Sequence, residues 1–295
     1  LTMNKVLNIK KDFKIPDGEI VAISNLRPWI NAGKVGTIAL NKLKNLTDAY
    51  KIGELESPGT FFDFTRYRPR FKYENEVRKL VIPNVEIHLG THKDKNLSFI
   101  FIDLREPHYN AELLIDSLFD FLSKCDVQEY CRIGSMYDSV PHTRPMIVSG
   151  SNTSNKNLIN TSNNKYQGPT SILNLLSEKF VQNSIKSSTL MAHIPQYIQL
   201  DNDYFASAKI LNALAEIYDL DKSIADNSFG ETQYNDFTES LKFNTELSKL
   251  VKALEKYYDS NYSDYETKQI ENESPMSDEL EDFLDNISSK FEDNN

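Results

Sequence analysis

The chain has 295 residues, 39% hydrophobic and 26% charged, with a formal charge of −10; this is the make-up of a globular chain long enough to bury a sizeable core. Acidity is concentrated, with 19 Asp and Glu against 7 Lys and Arg in residues 221–295, and 24 against 26 in residues 1–220. No basic face for phosphate is implied, so nucleic acid is excluded as the main partner.

The longest strongly apolar run, Leu97 to Leu104, is far too short for a bilayer span, and the lysine-bearing N-terminal stretch lacks the apolar centre of a signal peptide. Cys125 and Cys131 make neither a disulfide framework nor a common zinc spacing. The expectation is a cytoplasmic protein with buried, reduced thiols, no cofactor, no metal and no membrane partner.

In chain order, Glu19 to Ser24 (EIVAIS) reads as a buried first strand. Lys34 to Tyr50 reads as a helix with the stripe Val35, Ala39, Leu43, Leu46 and Tyr50. Short strands follow in IGELE, RKLVIP, VEIHLG and LSFIFIDL, the last apolar enough to be covered on both faces. Asn110 to Lys124 is the clearest helix, with Asn110 as N-cap and Ala111, Leu114, Ile115, Leu118, Phe121 and Leu122 on one face.

VQEYCRIGS and PMIVSG come next, then a polar loop from Ser151 to Tyr166, a helix capped by Thr170, the buried strand STLMAHIP, and a helix from Asp203 to Leu220. Alternating strands and helices predict an α/β domain over residues 15–220. Residues 221–295 read as an acidic helical extension. It contains an amphipathic stretch from Phe243 to Tyr258, a polar linker over 259–275, and a second amphipathic helix from Ser277 to Phe291. Neither helix is stable alone, so each must dock on the body or on another subunit.

Known chemistries find little purchase. There is no P-loop and no dinucleotide fingerprint. His88 and His92 are four apart but flank Gly90 at a strand end, where helical metal-ligand spacing does not apply. Gly134-Ser135-Met136 is not a nucleophile elbow, which needs a glycine two residues away on both sides of the serine. A Ser–His–acid triad need not be local in sequence, and nothing singles one out.

The most specific stretch is Gly134 to Gly150, GSMYDSVPHTRPMIVSG. Pro141 and Pro145 fix φ and restrict Val140 and Arg144, which makes a stiff turn presenting His142 and Thr143. Arg144 offers a planar donor fork for a carboxylate. Two readings stand: a ligand or catalytic pocket, and a corner whose polar groups satisfy backbone or a subunit contact. The absence of a nucleophile or metal pattern favours the corner.

The same stretch resembles the signature of the proteasome assembly chaperone 2 (PAC2) family. Gly53 to Phe71 (GELESPGTFFDFTRYRPRF), Tyr166 to Ile172 (YQGPTSI) and Ala192 to Gln199 (AHIPQYIQ) are similar to other family segments and stand in the family's order. The resemblance identifies the chain as a prokaryotic member. It implies a fold like that of purine nucleoside phosphorylases, a mixed twisted sheet flanked by helices, here with a C-terminal helical extension. It also implies a non-enzymatic, homo-oligomeric, chaperone- or scaffold-like role whose partners are further copies and complex subunits such as those of the proteasome.

The signature residues that would form the pocket or interface are Tyr137, Asp138, Pro141, His142, Thr143, Arg144, Pro145, Tyr166, Gly168, Pro169 and Thr170; none is assigned as catalytic. Some archaeal relatives engage the proteasome through a C-terminal hydrophobic–Tyr–any tripeptide. The sequence here runs Lys290-Phe291-Glu292-Asp293-Asn294-Asn295, so docking by that route is not expected. The alternative is a hydrolase or transferase acting on a small nucleoside-like ligand, resting on the fold's enzymatic relatives and on Asp138, His142 and Arg144. The two part on geometry, because an enzyme needs those groups to converge on a concave pocket.

Overall fold

Two long apolar strands organise the chain. In the computed structural model, which describes residues 6–92, 94–152, 158–160 and 168–262, β2 (Glu19–Arg27) and β7 (Leu97–Arg105) run parallel in register from Glu19 against Leu97 to Arg27 against Arg105. Both are buried along nearly their whole length, as continuous apolar runs demand. Between and after them lie β1 (Leu7–Ile9), α1 (Val35–Leu46), β3 (Tyr50–Leu55), β4 (Arg70–Glu74), β5 (Val77–Val81), β6 (Glu86–Thr91) and α2 (Ala111–Lys124). Then come β8 (Glu129–Asp138), β9 (Val148–Ser151), β10 (Ile159–Asn160), α3 (Ile172–Gln182), β11 (Lys186–Pro195), α4 (Tyr204–Tyr218), α5 (Ser228–Leu241) and α6 (Thr245–Tyr262).

Nine strands form a large mixed sheet in the order β1-β3-β6-β7-β2-β8-β11-β9-β10, flanked by helices. β7, β2 and β8 are mutually parallel, while β1, β3, β6 and β7 pair antiparallel.

By contacts the chain divides into two compact units. The first comprises residues 1–29, 40–132 and 168–188. Its core joins β2 and β7 to Leu114, Leu118 and Leu122 of α2 and to Leu173, Leu176 and Phe180 of α3. Tyr130 is fully buried there, stacked on Phe180 with centroids 4.8 Å apart, and its hydroxyl pairs with Ser24 Oγ at 2.7 Å. Buried Glu129 is answered by Lys186 Nζ at 2.8 Å and Ser188 Oγ at 2.5 Å. Cys125 and Cys131 are buried and form no disulfide, and burial pushes the Cys125 thiol up to about 11, so it is inert near neutrality.

The second unit comprises residues 30–39, 133–167 and 189–295. Its centre is α4, where Ala206, Ala208, Ile210, Leu211, Ala213, Leu214 and Ala215 are all buried. A helix apolar on so many sides is a core helix. Tyr197, Ile198, Tyr234, Leu241, Leu250, Val251 and Leu254 form one cluster with α5 and α6.

Several expectations change. Glu19–Arg27 is a buried strand but not the first, because Leu7–Ile9 precedes it and pairs with β3. α1 stops at Leu46: Asp48 takes a left-handed φ of 46°, and Tyr50, 53% exposed, begins a strand instead of closing the helical stripe. Asn110 stands at the N-cap position of α2, but its side chain caps nothing; Nδ2 donates to Thr60 O (2.8 Å). The cap position of α3 is Ser171, not Thr170.

α6 continues to Tyr262, so the first four residues of the expected linker, Asp259 to Tyr262, are helical. Phe243 stands outside α6 and is 92% exposed. The remainder of that linker and the helix expected from Ser277 to Phe291 lie outside the described residues.

Strands β4 and β5 pair only with each other, and every residue in them is exposed. Phe71 faces Leu80 and Lys72 faces Lys79, with the Arg78 guanidinium 3.6 Å over the Phe71 ring.

Candidate functional site

The stretch from Gly134 to Gly150 does three jobs inside the second unit. At its start it fixes a backbone crossing. Gly134 admits no side chain, because a Cβ would stand 2.6 Å from Ile30 O. Ser135 N then donates to Ile30 O (3.0 Å) and Ser135 Oγ to Ala32 O (2.6 Å). The turn so held includes Gly33, at φ +54°, where a Cβ would meet Asp203 Cβ at 2.6 Å.

Asp203 is 1% exposed and answers this turn, since its N–H donates to Gly33 O (2.7 Å). Its carboxylate caps α4 through Ala206 N (2.8 Å) and accepts from Tyr234 OH (2.8 Å). Burial raises its pKa, against the opposing pull of these bonds, and the Tyr234 hydroxyl is held far above its ordinary range by burial and by the facing carboxylate. Tyr137, 42% exposed, hydrogen-bonds the Gly33 backbone, and burial raises its hydroxyl's pKa.

At the end of β8 lies a relay of three side chains. Asp138 Oδ2 is 2.6 Å from His193 Nδ1, and His193 Nε2 is 2.8 Å from Ser149 Oγ. Asp138 Oδ1 also accepts from Ser139 N (2.6 Å). Acid, imidazole and hydroxyl thus stand in the order of a nucleophile, its base and the group that orients the base.

The surroundings do not suit catalysis. Ser149 is 6% exposed and sits within β9, paired to Met191 on one side and Ile159 on the other. The cavity that His193 lines has a volume of about 10 Å³, room for about one water.

The turn itself closes on α6. Val140 and Pro141 are buried. The His142 backbone N–H donates to Tyr197 OH (2.8 Å), leaving that hydroxyl's own proton for His142 Nδ1 (2.8 Å). The imidazole proton is thereby assigned to Nε2, which is buried without a hydrogen-bond partner. Burial holds the His142 pKa below its ordinary value.

Arg144 reaches α6 with its whole fork, Nε to Asp259 Oδ1 (2.7 Å), Nη2 to Asp259 Oδ2 (2.8 Å) and Nη1 to Glu255 Oε1 (3.1 Å). Thr143 Oγ1 donates to Glu255 (2.5 Å), and Tyr258 OH donates to Pro145 O (2.9 Å). Glu255, Tyr258 and Asp259 share one face of α6 by their spacing of three and four. The Arg144 bond, first of all, holds the Asp259 carboxyl below its usual range.

The expected site residues are therefore sorted. Tyr137, Asp138, Pro141, His142, Thr143, Arg144 and Pro145 form one connected region, and the cavity lined by Pro141, His142 and Arg144 holds only about 10 Å³. Gly168, Pro169 and Thr170 belong to the first unit and are exposed, with Asn174 Nδ2 donating to Thr170 Oγ1. Tyr166 lies outside the described residues.

His88 lies inside β6 and His92 beyond its end, turned to the Asp94 amide. His193, Ser149, Tyr197, Asp203, Glu255 and Asp259 were not singled out by sequence. His193 was the legible one, since it stands in the AHIPQYIQ segment on a strand that alternates buried and half-buried positions.

A mixed α/β fold of this kind is seen in solved structures. A PAC2 family protein from Streptomyces avermitilis superposes with a TM-score of 0.66 at 22% identity, over 79% of this chain and 100% of the other. A proteasome-assembly chaperone homologue from Mycobacterium tuberculosis gives 0.68 at 22%, over 78% and 99%. An archaeal proteasome activator from Pyrococcus furiosus gives 0.57 at 15%, over 81% and 98%.

Residues 26–232 match the PAC2 family model, and the chain belongs to that family. No functionally curated protein matches it in sequence. Among the described residues no helix is long and apolar enough to cross a membrane, and no group of three potential metal ligands occurs.

Proposed function

We propose that this protein is a non-enzymatic, chaperone- or scaffold-like member of its family that works by binding protein surfaces as a homo-oligomer. The observation that carries this reading is that the signature turn is consumed by α6. Arg144, Thr143 and Pro145 hold Asp259, Glu255 and Tyr258, and beside them is a cavity of only about 10 Å³. The named relatives, a proteasome-assembly chaperone homologue and a proteasome activator, point to proteasome-related subunits as the first partners to try.

On this reading residues 15–220 are a body with the purine nucleoside phosphorylase-like arrangement, and 221–295 are an extension whose α6 is held by the signature residues Thr143, Arg144 and Pro145. Light scattering of the purified chain, alone and with proteasome α subunits, tests the reading. A larger species with those subunits, absent for the separately purified Arg144→Ala variant, supports it. A monomer that leaves assembly of the subunits unchanged sinks it.

A second reading is favoured by one observation, the hydrogen-bonded line Asp138–His193–Ser149. As a hydrolase relay, Ser149 would be labelled by a fluorophosphonate, and Ser149→Ala would abolish the label. Absence of labelling on the folded chain leaves the relay as a polar tie between β8, β11 and β9.

A further inference from the structure

The other long family segment, Gly53 to Phe71, builds something different within the first unit. It lines an open cavity of about 470 Å³, inside the range of small-molecule sites. The cavity lies beyond the carboxyl ends of two parallel strands. β2 ends at Arg27 and leads into Pro28 and Trp29, and β7 ends at Arg105 and leads into Glu106 to Tyr109. Crevices outside such strand ends are where open α/β sheets bind ligands.

The walls are preformed. Glu106 N donates to Arg27 O (3.1 Å), while His108 N and Tyr109 N both donate to Phe61 O (2.8 and 3.1 Å). Asp63 N donates to His108 Nδ1 (3.1 Å), and Asp63 Oδ1 accepts from Thr65 N (2.8 Å) and Thr65 Oγ1 (2.7 Å). Phe61 and Phe62, 2% and 1% exposed, anchor the loop from beneath. Tyr67 is set edge-on against His108, with centroids 4.7 Å apart.

Two features of the lining ask for a ligand. The first is aromatic surface left in water, since Trp29 is 61% and Tyr109 54% exposed, with Tyr67 beside them on the cavity wall. The second is Glu106, whose carboxylate accepts from the Ile172 backbone amide while its Oε2 is buried without a hydrogen-bond partner among the described residues. A buried, unanswered carboxylate oxygen is costly unless something fills the place of its missing partner. Burial raises the Glu106 pKa accordingly. The cation on the wall, Arg66, does not answer Glu106; its Nε lies 3.9 Å from Asp63 Oδ2 and its side chain is 73% exposed.

Aromatic faces together with a carboxylate answered on one side only, by the Ile172 amide, match one chemistry best, a cation attracted by ring quadrupoles and neutralised by the acid. We propose that this cavity binds an organic ammonium ion, with Trp29 and Tyr109 as the aromatic walls and Glu106 as the counter-ion; Tyr67 already carries the Arg105 guanidinium, 5.5 Å over its ring, and serves as wall only. The site is independent of the turn that holds α6, and the inference does not depend on the chaperone reading.

Trp29 is the one tryptophan of the chain, so its emission reports this cavity alone. The full-length protein is titrated with choline and, separately, with its uncharged isostere 3,3-dimethylbutan-1-ol. Choline is expected to change Trp29 emission saturably, with the isostere at least tenfold weaker. Nα-acetyllysine amide, presenting the ammonium as a protein side chain does, tells by its relative affinity whether the natural cation is free or peptide-borne.

Glu106→Gln should weaken choline at least tenfold with an unchanged circular dichroism spectrum, and Tyr109→Ala should weaken it as well. Should Glu106→Gln fail to fold, Tyr109→Ala together with the isostere comparison carries the test. Equal binding of choline and the isostere overturns the proposal. So does a Trp29 signal unmoved by both choline and the lysine amide.

Discussion

The two family segments use their polar residues in opposite ways. From Gly134 to Gly150 nearly every polar group is spent within the chain. Asp138 is tied to His193, His142 to Tyr197, and Thr143 and Arg144 to α6, around a cavity of about 10 Å³. From Gly53 to Phe71 the backbone is equally well held, yet the side chains border about 470 Å³ of open space and a carboxylate oxygen with no partner. Order in a loop is therefore no guide to its role. Each region keeps a buried unpartnered atom, His142 Nε2 and Glu106 Oε2, and what separates the two is the open space beside the second.

The largest expected effect lies in the consumed region. Asp203→Ala removes the α4 cap and strands the Tyr234 hydroxyl, so chemical denaturation should show a loss of ~2–4 kcal/mol, combining a cap with a buried unpaired group. A loss below about 1 kcal/mol would mean that water replaces the carboxylate, and that the region is less closed than described. Ser149→Ala should cost ~1–2 kcal/mol by leaving His193 Nε2 without its partner. An unchanged midpoint there would favour a hydroxyl retained for chemistry.

Arg144→Ala should have a smaller effect on the midpoint, because its acidic partners are partly solvated, Glu255 at 25% and Asp259 at 51% side-chain exposure. Its visible consequence should be faster amide exchange in the last turns of α6. Protection unchanged there would break the link between turn and helix.

The smallest effects come from acid and base, and they carry opposite signs. Asp259 has a depressed pKa, so the stability it lends is present above its ordinary 3.8 and is lost as pH falls through the lower, folded value. Glu106 has a raised pKa, so its stability contribution is complete below its ordinary 4.5 and is lost as pH rises through the higher, folded value. Amide exchange in α6 should therefore quicken at the acid end. Glu106→Gln should abolish a small decline in midpoint on the way from pH 4 to 7. The same pH trend in both variants would erase the contrast.

The sequence made the filled core legible and the site only half so. β7, α2 and α4 were readable because their apolar spacing matches what they bury. α5 escaped because only Gly230, Tyr234 and Leu241 of its residues are buried, too few for a periodic signal. β4 escaped because Arg70 to Glu74 is exposed on both faces and has no side to alternate.

In the turn, the stiffness set by Pro141 and Pro145 and the carboxylate-seeking Arg144 were both readable. Asp259 was not, since it lies more than a hundred residues on, in a stretch that composition marks as linker. Likewise Ser149 and His193 meet only through the pairing of β9 with β11, and no local pattern announces that register.

The hairpin of β4 and β5 has a consequence for how the protein behaves in crowded solution. Among the described residues both of its outer edges are unpaired, and a pair of strands with such edges and exposed Phe71, Tyr73, Val77 and Leu80 is a template for uncontrolled strand addition. Lys72 stands directly opposite Lys79, whose ammonium is paired with Glu74 (2.8 Å), so each strand of the hairpin carries a lysine. These lysines guard the hairpin, because any strand joining either edge must bring its backbone up beside them. A chain carrying threonine at both positions would be a less soluble protein.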